Sequence, residues 1–131
     1  MEDNKIMVSV CCITYNQAEY IKYALDSFLI QKTNFKYEVI IHDDASTDGT
    51  AEIIKEYADK YPEIIKPIFQ TENQYSKGVK RILNFTFKEA KGKYIALCEG
   101  DDYWINENKL QLQVEYMEKN PNCTLLFHNA K

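Results

Sequence analysis

The stretch Cys98-Glu99-Gly100-Asp101-Asp102-Tyr103-Trp104 follows the apolar run Tyr94-Ile95-Ala96-Leu97. The run has the length and composition of a buried strand, so three carboxylates within four positions land just past a core element. At about 4 Å and an effective dielectric of roughly 20, each like-charge pair costs on the order of 4 kcal/mol. A second acidic pair, Asp43-Asp44, follows another apolar run, and strands sharing one sheet would crowd as many as five carboxylates on one edge. The expectation is a divalent cation there, with a phosphate-bearing ligand.

Outward from that stretch the chain alternates. Ile6 to Ile13 is a β-branched apolar run ended by Thr14-Tyr15-Asn16. Asn16 with Glu19 predicts an N-cap and capping box for a helix reaching about Gln31. Lys36 to Ile41 predicts a strand that delivers His42-Asp43-Asp44, and Ala45 to Thr50 is turn and cap chemistry, with Asp48 a turn residue. A helical stripe follows through Ile53, Ile54, Tyr57, Ala58 and Tyr61, then a strand from Ile64 to Phe69 marked as an edge by Pro67. Val79 to Ala90 predicts a third helix with Gly92 at its C′ position. Asn106 is expected to cap a fourth helix burying Leu110, Val114 and Met117, and Cys123 to Phe127 is expected as a last strand. The order β-α-β-α-β-α-β-α-β implies an α/β domain, a mainly parallel sheet with helices on both faces. Ligands of such sheets bind beyond the carboxyl ends of the strands. Thr14-Tyr15-Asn16, Asp43-Asp44 and Glu99 to Asp102 all stand at those ends.

The bulk composition narrows the function. The 131 residues suit one domain, and 45% hydrophobic with 27% charged content is ordinary for a globular protein. A net charge of -4 speaks against a nucleic-acid partner. Arg81 is the one arginine among 16 basic residues, so bidentate phosphate forks are scarce. The cysteines at 11, 12, 98 and 123 have no CxxC spacing and lie in apolar runs, which reads as buried free thiols in a reducing compartment. No apolar stretch is long enough to span a bilayer and the N-terminus lacks a signal-peptide pattern, so a cytoplasmic location is expected.

Taken together, these residues resemble the family-2 glycosyltransferases of the GT-A fold. Val8 to Asn16 looks like that family's first strand with its Tyr-Asn end. Asp43-Asp44-Ala45-Ser46-Thr47-Asp48-Gly49-Thr50 is similar to its Asp-Asp-x-Ser-x-Asp-x-Thr stretch, and Glu99-Gly100-Asp101-Asp102 takes the place of its acidic motif, with Glu for the first Asp. The resemblance implies a Rossmann-like nucleotide-binding domain over residues 1–131, the N-terminal part of a longer, truncated enzyme. By resemblance, Tyr15 and Asp44 contact the nucleobase with Asp43 and Thr14 nearby, and Glu99 faces the ribose. Asp101 holds Mg²⁺ or Mn²⁺, Gly100 lets the backbone approach the diphosphate, and Asp102 stands near the acceptor as the one catalytic candidate. The family's helical Ala-Arg-Asn triplet falls on Ile82-Leu83-Asn84, leaving Lys80 or Arg81 to supply the lost charge.

The implied reaction is metal-dependent, inverting transfer from a nucleotide-diphospho-sugar, a UDP-sugar foremost, to a saccharide or lipid-linked saccharide hydroxyl. Surface polysaccharide or glycan synthesis is the expected setting, at the cytoplasmic face of the membrane for a full-length protein. No residue of this chain is a convincing general base, since the family places that group downstream. The alternative is a non-catalytic nucleotide-sugar-binding module or inactive fragment. A phosphoacceptor signalling domain would want an acidic pair after the first strand, and a pyrophosphorylase a glycine-rich loop there. Neither is present. Trp104, His42 and His128 read as structural residues.

Overall fold

The computed structural model describes residues 5–77 and 82–122. Its strands are β1 (Ile6–Thr14), β2 (Lys36–Asp43), β3 (Ile65–Phe69) and β4 (Tyr94–Glu99). They form an all-parallel sheet in the order β3-β2-β1-β4. The helices are α1 (Ile21–Leu29), α2 (Thr50–Lys60), α3 (Ile82–Glu89) and α4 (Lys109–Lys119), with a 3-10 turn over Tyr75–Lys77. The α/β class and parallel sheet expected from the alternation are both present. Pro67, which cannot donate to a ladder, lies on β3 at the end of that strand order. The strand expected at Cys123 to Phe127, His128, Lys80, Arg81 and the side chain of Asn84 lie outside the described residues.

Period-two alternation divides the sheet into two faces. Val8, Val10 and Cys12 of β1 join Val39 and Ile41 of β2 in one buried cluster. Ile21, Ala24, Leu25 and Phe28 of α1, Ile54 of α2, and Leu110 and Val114 of α4 close over it. Each Val, Leu, Ile or Phe side chain among them contributes about 1.5–3 kcal/mol by leaving water. Trp104 plugs the same cluster, its ring 4.8 Å from that of Phe28, so it is a core residue as expected. The other face carries α3, where Phe85 stacks on the buried His42 ring at 5.2 Å. Helices therefore cover both faces.

Several local expectations fail for tertiary reasons. Asn16 does not cap α1, which begins at Ile21 after a turn in which Tyr20 and Ile21 donate to Gln17 O, and which ends at Leu29. The α4 N-terminus is capped from afar. Leu110 N–H donates to Gln31 Oε1 at 3.0 Å, while Asn106 Oδ1 only receives the Asn108 N–H. Met117 is half-buried, outside the core cluster.

Gly92 is not a left-handed cap either, because its φ is not positive. Its lack of a side chain serves close approach, since a Cβ there would meet Ser9 N at 2.5 Å and Val8 C at 2.7 Å. Lys91 and Gly92 N–H donate to Ser9 Oγ, and the buried Glu38 carboxylate binds Ser9 Oγ (2.6 Å) and Lys91 N–H (2.9 Å). Strand β4 is buried on one face only. Ile95 and Leu97 pair beside Ser9 and Cys11, but α3 lies over β1 and β2, leaving them 44% and 56% exposed.

Candidate functional site

The carboxyl end of β1 holds both its neighbours. Ile13 O accepts the Gly100 N–H at 3.0 Å and Thr14 O accepts the Asp44 N–H at 3.0 Å. In register, Thr14 lies beside Asp43 and Ile13 beside Glu99. The three motifs expected at one sheet edge are thus brought there by a single central strand. A cleft of about 430 Å³ opens at that edge. Thr14, Tyr15, Asp44 and Glu99 line it, while Asp43, Asp101 and Asp102 do not. Gln17, Asn73, Tyr75 and Ser76 line it as well, and none of these is assigned by the sequence.

The two loops beside the cleft are laced together by side chains. Asn16 N–H donates to Ser46 Oγ (2.8 Å), and Asn16 Oδ1 accepts the Thr47 N–H (2.7 Å). Gln17 N–H donates to Thr50 Oγ1 and Ala18 N–H to Asp48 Oδ2. The Ser, Asp and Thr of the Asp-Asp-x-Ser-x-Asp-x-Thr stretch therefore act as stitches. Desolvation works against it, but the hydrogen bonds from Thr50 and Ala18 hold the Asp48 carboxyl below its usual range. Asn16 (φ 50) and Ala45 (φ 62) are both left-handed. Such residues cost of order 1–3 kcal/mol and persist where surroundings fix them.

Asp43 and Asp44 are each 2% exposed, and donors from neighbouring loops satisfy both. Asp43 receives the Ser46 N–H (3.1 Å) and hydroxyl (2.5 Å). Asp44 Oδ1 accepts from Gln74 N–H (2.7 Å) and Oδ2 from Tyr75 N–H (3.1 Å), while its carbonyl accepts from Asn73 Nδ2 (3.0 Å). Glu99, Asp101 and Asp102 are exposed on a turn closed by Asp102 N–H to Glu99 O. The five carboxylates at this edge thus differ in setting: Asp43 and Asp44 are buried and hydrogen-bonded, while Glu99, Asp101 and Asp102 are exposed. Among the described residues, no three His, Cys, Asp or Glu side chains group to hold a metal.

Gly100 also has a close neighbour within the protein. A Cβ there would meet Gln17 Oε1 at 2.4 Å and Thr14 Oγ1 at 2.5 Å, so the close approach is to the end of β1. Thr14 Oγ1 donates to Gln17 Oε1 at 2.6 Å. Beneath the cleft, burial lowers the His42 pKa, with Asp44 and Asp43 pulling the other way. His42 is structural, as expected.

The sequence profile of Glycosyl transferase family 2 matches residues 9–129. The chain belongs to this family. Curated family relatives include an uncharacterized protein of Mycobacterium tuberculosis, 49% identical over 124 residues, 95% of this chain and 35% of that protein. The Escherichia coli UDP-Glc:alpha-D-GlcNAc-diphosphoundecaprenol beta-1,3-glucosyltransferase WfaP is 38% identical over 112 residues, 86% of this chain and 41% of WfaP. Among solved structures, Staphylococcus aureus TarS 1-349 in complex with UDP superposes at TM-score 0.74 with 30% identity, over 88% of this chain and 33% of TarS. The Pyrobaculum calidifontis mannosyltransferase PcManGT, in complex with GDP-Man and Mn²⁺, gives 0.73 and 28%, over 86% and 32%. The fold is thus that of the GT-A glycosyltransferases, and the chain spans 32–41% of the length of these four proteins. No helix among the described residues is long and apolar enough to cross a membrane.

The unassigned wall, Asn73 to Ser76, carries one local signal. Asn73 Oδ1 receives the Ser76 N–H at 2.7 Å, the Asn-x-x-Ser turn chemistry visible in sequence. Nothing local places that turn against β1.

Proposed function

We propose that this chain is the donor-binding domain of a metal-dependent glycosyltransferase. The reaction is inverting transfer of a sugar from a nucleotide-diphospho-sugar, a UDP-sugar foremost, to a hydroxyl of a saccharide or lipid-linked saccharide. Its setting is surface polysaccharide or glycan synthesis on the cytoplasmic side of the membrane, where the free, buried Cys11, Cys12 and Cys98 belong. One observation carries the reading: a single cleft at the carboxyl edge is lined by Tyr15 and Asp44 as well as by Glu99. The family relation, and neighbours solved with UDP or with GDP-Man and Mn²⁺, support it.

In this reading the half-exposed Tyr15 ring offers a face to the base beside Thr14 and Asp44, with the buried Asp43 next to Thr14 in register behind the cleft wall. Glu99 accepts hydrogen bonds from the ribose hydroxyls. Asp101 is exposed in the turn just past Glu99. Mg²⁺ or Mn²⁺ is commonly held by one or two carboxylates plus ligand phosphates, a donor set that Asp101 fits without a protein cage. When bound, the ion supplies charge neutralisation for the leaving diphosphate. Asp102 orients the acceptor side, and the remaining two-thirds of a family enzyme supplies the acceptor's base.

The test is thermal unfolding with Mn²⁺ and UDP. A ligand at 100 times its Kd stabilises the folded state by about 2.7 kcal/mol, so Mn²⁺ and UDP together raise Tm by several degrees. Asp101→Ala removes the metal-dependent part. No shift in the wild-type chain, or a full shift in Asp101→Ala, overturns the assignment.

A further inference from the structure

Tyr75 is 72% exposed, yet its backbone is firmly held. Its N–H donates to the buried Asp44 Oδ2 at 3.1 Å. The turn around it is closed by Ser76 N–H and Oγ on Asn73 and by Lys77 N–H on Gln74 O. An exposed tyrosine alone needs no explanation. This one lines the cleft together with a second exposed tyrosine, Tyr15, at 47%.

The two rings come from segments far apart in sequence, and both segments are tied to one residue. Asp44 N–H binds the carbonyl of Thr14, which precedes Tyr15, and the Asp44 carboxylate binds the N–H of Tyr75. Asn73 lines the cleft too, but one of its Nδ2 hydrogens is given to Asp44 O and one Oδ1 lone pair to Ser76 N–H, which leaves it one donor and one acceptor site. The one large apolar surface that the 73–76 wall offers the cleft is the exposed aromatic face of Tyr75. Stacking on such a face is the interaction that tolerates any base and is worth a sizeable share of nucleotide affinity.

We propose that Tyr75 is a base-binding residue of the donor site: with Tyr15 it forms a slot for a flat heteroaromatic ring, and Asp44 sets the slot's width. This rests on the reading of the cleft as a nucleotide site. Only the backbone of Tyr75 bonds to Asp44, so replacing its ring leaves the fold intact, and an unchanged Tm verifies this.

The test is calorimetric titration of the 131-residue chain with UDP and, separately, with inorganic pyrophosphate, each with Mn²⁺. Tyr75→Ala is expected to weaken UDP roughly ten-fold, the scale of losing one base–aromatic stack. It leaves pyrophosphate unchanged, and Tyr75→Phe stays within about two-fold of wild type because the stack survives. Unchanged UDP affinity in Tyr75→Ala, or an equal loss for UDP and pyrophosphate, overturns the role of Tyr75 while the nucleotide site stands. Wild-type chain that binds pyrophosphate but gains nothing from the uridine overturns both readings.

Discussion

Asp44 Oδ1 accepts the backbone N–H of Gln74 at 2.7 Å, binding the end of β2 to a segment 30 residues further along the chain. The second oxygen holds Tyr75 in the same way. The acid proposed to stand at the nucleobase is therefore also the clamp that shapes the cleft wall.

Asp44→Asn should separate these roles from those of Tyr75. The amide keeps one acceptor oxygen and turns an N–H₂ toward a backbone N–H, so a buried donor loses its partner at a cost of about 1–3 kcal/mol. Urea denaturation should show that loss and calorimetry a weaker affinity for UDP. Tyr75→Ala should show only the second. Equal stability of Asp44→Asn and wild type would mean the clamp carries no net energy.

The described glycines should rank by what surrounds them. At Gly92 an added Cβ meets backbone atoms of Val8 and Ser9, which cannot move without disturbing β1. At Gly100 it meets side-chain atoms of Gln17 and Thr14, and at Gly49 (φ +100) it meets nothing within 4 Å and suffers backbone strain alone. Overpacking costs about 1–3 kcal/mol, occasionally more. Equilibrium unfolding should place Gly92→Ala as the most destabilised of the three. Gly100→Ala should also loosen nucleotide binding, whereas Gly92→Ala should not.

His42 makes stability depend on pH. Burial lowers its folded pKa below the ordinary 6.5. As pH falls below 6.5 the unfolded chain takes up a proton that the folded chain refuses, so its contribution is present above 6.5 and is lost downward toward the folded pKa. The slope from this one group is at most about 1.4 kcal/mol per pH unit. His42→Gln should flatten the stability profile between about pH 5 and 7. A mutant profile parallel to wild type would reassign the slope to the carboxylates.

The described cysteines should be inert in the native chain. Burial, then the charge of Asp102, pushes the Cys98 thiol up to about 12, and burial raises Cys12 and Cys11 as well. At pH 8 the thiolate fraction of Cys98 is about one part in ten thousand. Iodoacetamide followed by peptide mass spectrometry should leave all three unmodified until denaturant is added. Labelling of native Cys98 would show that β4 opens locally.

Much of this molecule is written in short-range pattern. Alternating Val8, Val10 and Cys12 specify a strand with one buried face, and Ile21, Ala24, Leu25 and Phe28 a helix that covers it. Strand–helix alternation then forces parallel pairing and brings Tyr15, Asp44 and Glu99 to one edge. Those inferences need only periodicity and handedness, which neighbouring residues settle.

The tertiary structure decided what each polar group is spent on. Asn16, Asn106 and Gly92 carry local cap signals, yet Asn16 stitches loops, Gln31 caps α4 and Gly92 admits β1. The same holds for Asp43 and Asp44, whose donors come from Ser46, Gln74 and Tyr75 and offset their charge. A hydrogen bond is claimed by whichever partner folding brings within 3 Å, and for Asp44 and Gln31 that partner lies tens of residues away. The sequence determined the strand edge and the acids on it. Packing decided which acids stay exposed and that Tyr75 completes the cleft.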